Sequence, residues 1–320
     1  MNENELPPDR DQEALASLEK KLHLVCDHVT AVGRLYKTGF YLYGTGGMGK
    51  SYTVLQHLES LGVTYQLFNS RMTAKGLFLT LQKAPDAIHV MEDMERLTKD
   101  PDAQGVLRSA LWAQPGHDRL VTWTTAADGP QRFPFRGGLI LISNRPLADL
   151  PELRALATRI EVHRMEVTDA ELAALMREVA GKGYRLDDKV GIGPEECLKV
   201  TEFLLKECRA AGCPLDLRLQ QKAFRSYLQF AADLSFSHWE DLVAASVREA
   251  TCHFRHDQNT TSPEARKAQR RNVIREIIAK STDAKEQEHL YTQRTGASRA
   301  DFFRRKREVE SGEFEGNDGA

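Results

Sequence analysis

Residues 41–53 read YLYGTGGMGKSYT. An apolar run stops at four glycines within six positions, followed by a lysine, a serine and the start of a helical pattern. Gly44, Gly49, Lys50 and Ser51 satisfy the spacing G-x-x-x-x-G-K-[ST], with Thr45, Gly46, Gly47 and Met48 between the two outer glycines. Glycine lets successive backbone N–H groups turn into one concavity and lets the loop approach a ligand closely. A helix beginning at Lys50 aims the positive end of its dipole at the same point. Residues 44–52, through Tyr52, therefore read as a cradle for the phosphates of ATP. Lys50 would reach the β- and γ-phosphates, and the Ser51 hydroxyl would help hold Mg²⁺. Leu55, Leu58 and Leu61 give the helix its expected apolar face, and Gly62 ends it.

Outward from the loop, strands and helices alternate. Short apolar runs fall at 39–43, 64–68, 87–91, 120–124, 138–143 and 160–163, with helical patterns between several of them, as at 50–61 and 104–113. The alternation predicts an α/β fold: a parallel sheet covered by helices on both faces. Before it, Leu15, Leu18, Leu22, Val25, Val29 and Val32 mark one amphipathic helix over 12–36. From Thr168 the strands are expected to cease, and residues 168–181, 194–211, 217–231 and 236–252 read as helices. The resulting organisation is an N-terminal helix (1–36), a core (37–166), a helical lid (167–254), a linker (255–263), a basic helical unit (264–310) and an acidic tail (311–320).

A phosphate cradle needs carboxylates for the metal and the attacking water. The run AIHVM at 87–91 leads straight into Glu92 and Asp93, and strand ends in such sheets face the ligand crevice. Glu92 would sit near Mg²⁺, directly or through water, while Asp93 would polarise the hydrolytic water. Which acid takes which task stays open, with Glu95 a third candidate.

The succession continues with GLILISN ending in Asn144, ELRALATRIEV at 152–162 and PLDLRLQQ at 214–221. Over residues 12–252 it resembles the AAA+ ATPases. The resemblance implies that Asn144 senses the γ-phosphate. It implies that Arg159, with Arg154 as the alternative, is presented to a neighbouring subunit's nucleotide, and that Arg218 contacts the nucleotide from its own lid. The acid pair runs Glu-Asp where the family shows Asp-Asp or Asp-Glu, which leaves the speed of hydrolysis open. An arginine donated in trans implies head-to-tail assembly into a ring or filament. The segment 117–138 reads as two extended runs about a turn at ADGP. It is either an ordinary edge hairpin or one directed into a ring's pore, with Arg132 and Arg136 suited to phosphate.

Residues 264–310 hold thirteen Lys/Arg against eight Asp/Glu, in a chain of net charge −2. Val273, Ile274, Ile277 and Ile278 share a helical face, and a second helix runs through Leu290 and Tyr291. RTGASRADFFRRKRE at 294–308 then reads as helix, Gly296 turn and new helix, with Ser298 and Asp301 at capping-box spacing. Phe302, Phe303 and Val309 are expected to pack inward, and Arg305 to lay its stem on the core with its charge outside. The segment resembles a helix-turn-helix, which implies that Arg299, Arg304 and Arg307 face duplex DNA.

Composition bounds the remainder. Charged residues make up 28% of 320 residues, an ordinary globular balance, and no apolar run approaches the roughly 20 residues of a membrane span. The acidic N-terminus is not expected to act as a targeting peptide, so the expected location is the cytoplasm. Five cysteines without a CxxC pair argue against disulfides, and Cys252, His253 and His256 match no zinc spacing. The expectation is an ATP- and Mg²⁺-dependent ATPase that self-assembles and acts on DNA, in replication initiation, helicase loading or mobile-element target selection. The alternatives are a remodelling ATPase whose basic arm docks a protein client, and a switch that binds ATP without hydrolysing it.

Overall fold

A computed structural model describes residues 8–69, 72–93, 97, 100–114, 116–125, 129–147, 154–188, 190–259, 270–271, 273–275, 277–278, 284–295 and 297–311. Five of the apolar runs pair as one parallel sheet: β1 (Gly39–Tyr43), β2 (Tyr65–Phe68), β3 (Ile88–Glu92), β6 (Gly138–Ser143) and β7 (Glu161–Arg164), in the order β2-β3-β6-β1-β7. β6 is buried throughout, and β1 and β3 are buried except at their last residues, Tyr43 and Glu92, as unbroken apolar runs demand when both faces are covered. Phe40, Leu42, Val90, Ile140 and Ile142 face α1 (Pro8–Gly33) and α2 (Lys50–Ser60), where Val25, Val29, Val32, Val54 and Leu58 meet them. Tyr41, Met91, Leu139 and Leu141 face α3 (Ala74–Lys83) and α4 (Pro101–Leu111) on the other side. Each such apolar side chain contributes roughly 1.5–3 kcal/mol when fully buried.

The run at 120–124 is not part of that sheet. β4 (Leu120–Thr125) pairs antiparallel with β5 (Gly129–Pro134) as a separate hairpin; its turn residues 126–128 lie outside the described residues. Phe133 and Val121 turn into the α3–α4 core, which holds the hairpin down. Arg132 is exposed, and Arg136 faces Asp86 at 3.5 Å.

The chain divides into two compact units, Met1–Val247 and Arg248–Ala320. In the first, after the short α5 (Arg154–Ala157) and β7, come α6 (Asp169–Ala180), α7 (Pro194–Ala211) and α8 (Leu217–Ala231), and the division falls within α9 (Trp239–Asn259). Thr168 caps α6 with a complete capping box to Glu171. Three expectations need correction. Strands do not cease at Thr168: β8 (Tyr184–Arg185) and β9 (Gly191–Ile192) form a small antiparallel pair, a turn unit too short for hydropathy periodicity to reveal. The helix expected to stop at 252 runs to Asn259, so the polar stretch begins inside it rather than as a linker. The first helix starts at Pro8, as proline permits at a first turn, and stops at Gly33.

The second unit has its own core of Ile274, Ile277, Tyr291 and Phe302. It is built from helical residues between 270 and 278 together with α10 (Ala284–Thr295) and α11 (Arg299–Ser311). Gly296, residues 260–269 and the tail from 312 lie outside the described residues. No described helix is long and apolar enough to cross a membrane.

Candidate nucleotide site

Parallel pairing places the ends of β1, β3 and β6 side by side, with Tyr43 opposite Ser143 and Glu92 opposite Ile142. The glycine loop, the acids and Asn144 therefore emerge at one edge. Gly49 takes φ 83, a left-handed conformation that ends the loop and starts α2 without a side-chain cap. Gly47 takes φ 76, and a Cβ there would fall on the Asp216 carboxylate. Glycine at 47 is thus required both by conformation and by close approach.

Lys50 is buried and donates to the Gly44 carbonyl at 2.8 Å, the Thr45 carbonyl at 2.8 Å and Asn144 Oδ1 at 3.0 Å. All three acceptors are neutral. Burial pulls its pKa down to about 8; the charges of Asp93 and Glu92 act in the opposite sense, and Arg218 adds to the depression. The inner face of α2 includes the expected Leu58, fully buried, and Leu55, partly buried against the same core; Val54 and Lys50 join them on the buried side.

Glu92 Oε1 is buried and has no hydrogen-bond partner among protein atoms. Asp93 follows in a left-handed conformation at φ 50, with its amide donating to the Ile142 carbonyl at 3.2 Å. Leu35 and Asp233 share this conformation elsewhere in the chain, and aspartate adopts it more readily than most residues. Glu95 lies outside the described residues. Among the described residues no cluster of three His, Cys, Asp or Glu could hold a metal ion. The expected Mg²⁺ set, Ser51 and Glu92, asks for less: Mg²⁺ keeps several waters and takes one or two protein oxygens plus phosphate. The orphaned Glu92 oxygen suits that need.

A cavity of about 540 Å³ opens beside the loop, bordered by Gly44, Thr45, Met48, Asn144, Arg164 and Thr168. That is within the size range of small-ligand sites. Tyr52 is 70% exposed. From the start of α8, the Leu217 amide donates to the Gly47 carbonyl at 3.1 Å, and Asp216 caps the helix through the Arg218 amide at 2.6 Å. The fold therefore brings Arg218 to the lysine. The Asp216 contact with the loop escaped sequence reading; its only local signal is a helix-capping aspartate.

Arg159 is not among the residues bordering this cavity. It lines a separate cleft at the end of α4, its guanidinium 5.5 Å from the Trp112 ring centroid. Arg154 opens the short helix α5.

In the second unit Arg299, Arg304 and Arg307 are exposed on α11. Arg299 pairs with Glu288 at 3.3 Å, and Arg304 with Asp301 at 2.5 Å. Three expectations are corrected. The Arg305 guanidinium lies inside, 5% exposed and bonded to Glu308 at 2.5 and 2.6 Å, because a carboxylate on the same helix receives it there. Phe303 is 39% exposed rather than packed, since Phe302 and Tyr291 fill the core. The capping box is half made: the Asp301 amide donates to Ser298 Oγ at 3.3 Å, but the Asp301 carboxylate accepts from Tyr291 Oη at 2.8 Å and from Arg270 at 3.0 Å. Burial and that bond push the Tyr291 phenol up to about 12. All five cysteines are free thiols; Cys252 is exposed, and the side chains of His253 and His256 lie outside the described residues.

No model of a known protein family matches the chain, and no curated protein matches it.

Proposed function

We propose that this protein is an AAA+-type ATPase, with residues 37–166 its ATPase core and 167–254 its lid. ATP and Mg²⁺ are its cofactors, and it assembles head-to-tail as a ring or filament. The observation that carries the reading is Lys50: a buried ammonium resting on neutral oxygens at the strand ends, where Glu92 also carries a buried oxygen without a hydrogen-bond partner. A buried cation without a bonded carboxylate is costly unless an anion visits it. Bound Mg²⁺ would supply charge neutralisation between the phosphates. Lys50 would transfer its hydrogen bonds from loop carbonyls to phosphate oxygens, and Ser51 and Glu92 would hold the ion, directly or through water. Asp93 or Glu92 would orient water, Asn144 would position it once released by Lys50, and Arg218 would contact phosphate from the lid. Arg159 would serve a neighbouring subunit.

The test is calorimetric titration with MgATP followed by measurement of phosphate release. Micromolar binding with turnover supports the reading. Binding without release, with and without duplex DNA, favours a switch, and no binding at millimolar ATP removes the proposal.

The basic α11, with Arg299, Arg304 and Arg307 outward, supports an action on duplex DNA, in replication initiation, helicase loading or target selection. The internal pairing of Arg299 and Arg304 with carboxylates favours a second reading, in which this unit docks a protein client. Duplex binding by the full chain that weakens steeply with salt supports the first; its absence at low salt supports the second.

A further inference from the structure

We propose that the turn joining α8 to α9 is an apolar knob whose partner is a second copy of this chain, received at the turn joining α1 to β1. The contact uses no residue of the nucleotide site and forms without ATP, so it goes beyond the ATPase reading while giving the head-to-tail assembly a seam.

The knob follows from the way α8 ends. Asp233 takes φ 58, and the Asp233 and Leu234 amides donate to the Phe230 and Gln229 carbonyls, both at 3.0 Å. A helix end of this kind ordinarily folds the next apolar side chain back onto its own helix. Here position 229 is a glutamine, whose Nε2 donates to the Leu234 carbonyl at 2.9 Å, and Leu234 stays 72% exposed. Ser235 Oγ donates to the Ser237 carbonyl at 2.7 Å, Phe236 between them is fully exposed, and buried Trp239 starts the next helix. A hydrogen-bonded backbone thus holds two large apolar side chains out in water. Adjacent exposed groups of this size mark an interaction surface.

Charge narrows the occupant. Asp233 and Asp241, both exposed, flank the knob, which disfavours nucleic acid and anionic lipid surfaces. The partner is apolar with a basic flank, and residues 34–37, Arg-Leu-Tyr-Lys, have that character. Leu35 is 52% and Tyr36 83% exposed. Leu35 sits at φ 60, which costs a leucine energy that glycine would not spend. The turn is fixed there by the Leu35 amide on the Val32 carbonyl and the Lys37 amide on the Ala31 carbonyl, both at 3.0 Å. Lys37 pairs with Glu161, whereas Arg34 donates to the neutral Leu61 carbonyl at 3.1 Å and meets no carboxylate among the described residues. Both turns lie in the first unit and both remain exposed, so neither covers the other within one chain. Two different patches meeting between copies make a head-to-tail contact.

The test is sedimentation of the full chain without nucleotide, combined with photo-crosslinking. Wild type is expected to associate reversibly, and Phe236→Ser to raise the dissociation constant about 30-fold. Removing a fully exposed ring takes no packing from the fold, so its Tm is expected to stay unchanged. Asp241→Lys is expected to weaken association about tenfold, and combining it with Arg34→Glu, which exchanges the two signs, to recover most of the loss. A photoreactive phenylalanine at position 236, in a mixture of isotopically light and heavy chains, is expected to crosslink to residues 34–37 of the other copy. Crosslinks within one chain, crosslinks to other residues, or unchanged association in Phe236→Ser overturn the inference. A small interface is weak, so a wild type still monomeric at about 100 µM overturns it in favour of a different protein partner. Calorimetric titration with MgATP decides the ATPase reading separately, so either proposal can fail while the other stands.

Discussion

The glycine loop and α11 both concentrate positive charge, but they neutralise it in opposite ways. Lys50 is buried among neutral oxygens, and its depressed pKa records a charge without a bonded counter-charge. Arg299, Arg304 and Arg305 each already hold a carboxylate, from Glu288, Asp301 and Glu308. Low effective dielectric amplifies the pull of the first kind of cation on an arriving phosphate. An arginine of the second kind must first give up a partner, and an exposed pair exchanged for another gains little. If the proposed function holds, the loop would capture its ligand tightly and α11 would make weak, salt-sensitive contacts.

The largest effect expected from this contrast is at Lys50. Lys50→Ala should weaken MgATP binding by about 4 kcal/mol, roughly a thousandfold, in a calorimetric titration. A change of only a few-fold would erase the distinction between the two regions. Glu171 sharpens it from the opposite sign of charge. Burial works to raise its pKa, but Lys21, the Thr168 amide and Ser17 overcome this and hold it at about 2. Its stabilising contribution is complete above the ordinary carboxylate range and is lost as pH falls from about 4.5 toward 2. Glu171→Gln should cost about 2 kcal/mol near neutral pH, read as a lowered Tm, and should flatten acid unfolding within that window.

A smaller effect concerns pH at the loop. Because burial has lowered the free Lys50 to about 8 and phosphate favours its charged form, ATP affinity should fall as pH rises above about 8, by up to about tenfold per unit. Invariant affinity between pH 7 and 10 would mean that Lys50 is not the phosphate ligand. The smallest effect is at α11. Arg304→Ala should reduce the slope of log affinity against log salt for duplex DNA by about 0.9, with ATP affinity unchanged. An unchanged slope would place Arg304 off the phosphate backbone and leave its bond to Asp301 as its main role.

Much of the loop site was legible because its determinants are contiguous. Gly44 to Ser51 specify their own backbone path, and the runs ending at Glu92 and Asn144 specify strands whose ends meet once they pair in parallel. On α2 the burial of Leu58 was legible, but that of Lys50 was not, because periodicity counts a lysine as polar whereas the loop folds it inward. The pair β8–β9 was missed because two-residue strands carry no period. Arg305 and Phe303 exchanged their expected places because a helix of near-continuous charge and aromatic residues does not announce which side has a carboxylate waiting.

The amino-acid sequence by itself determined the alternation of strands and helices, the glycine loop and the acids at the strand end, since each rests on neighbours along the chain. Only the tertiary structure decided that Asp216 would press on Gly47, that Glu171 would tie α6 to Ser17 and Lys21, and that Trp112 would lie beneath Arg159. Those contacts join residues far apart in the chain. Their energy comes from desolvation and close packing, which exist only after the chain has folded.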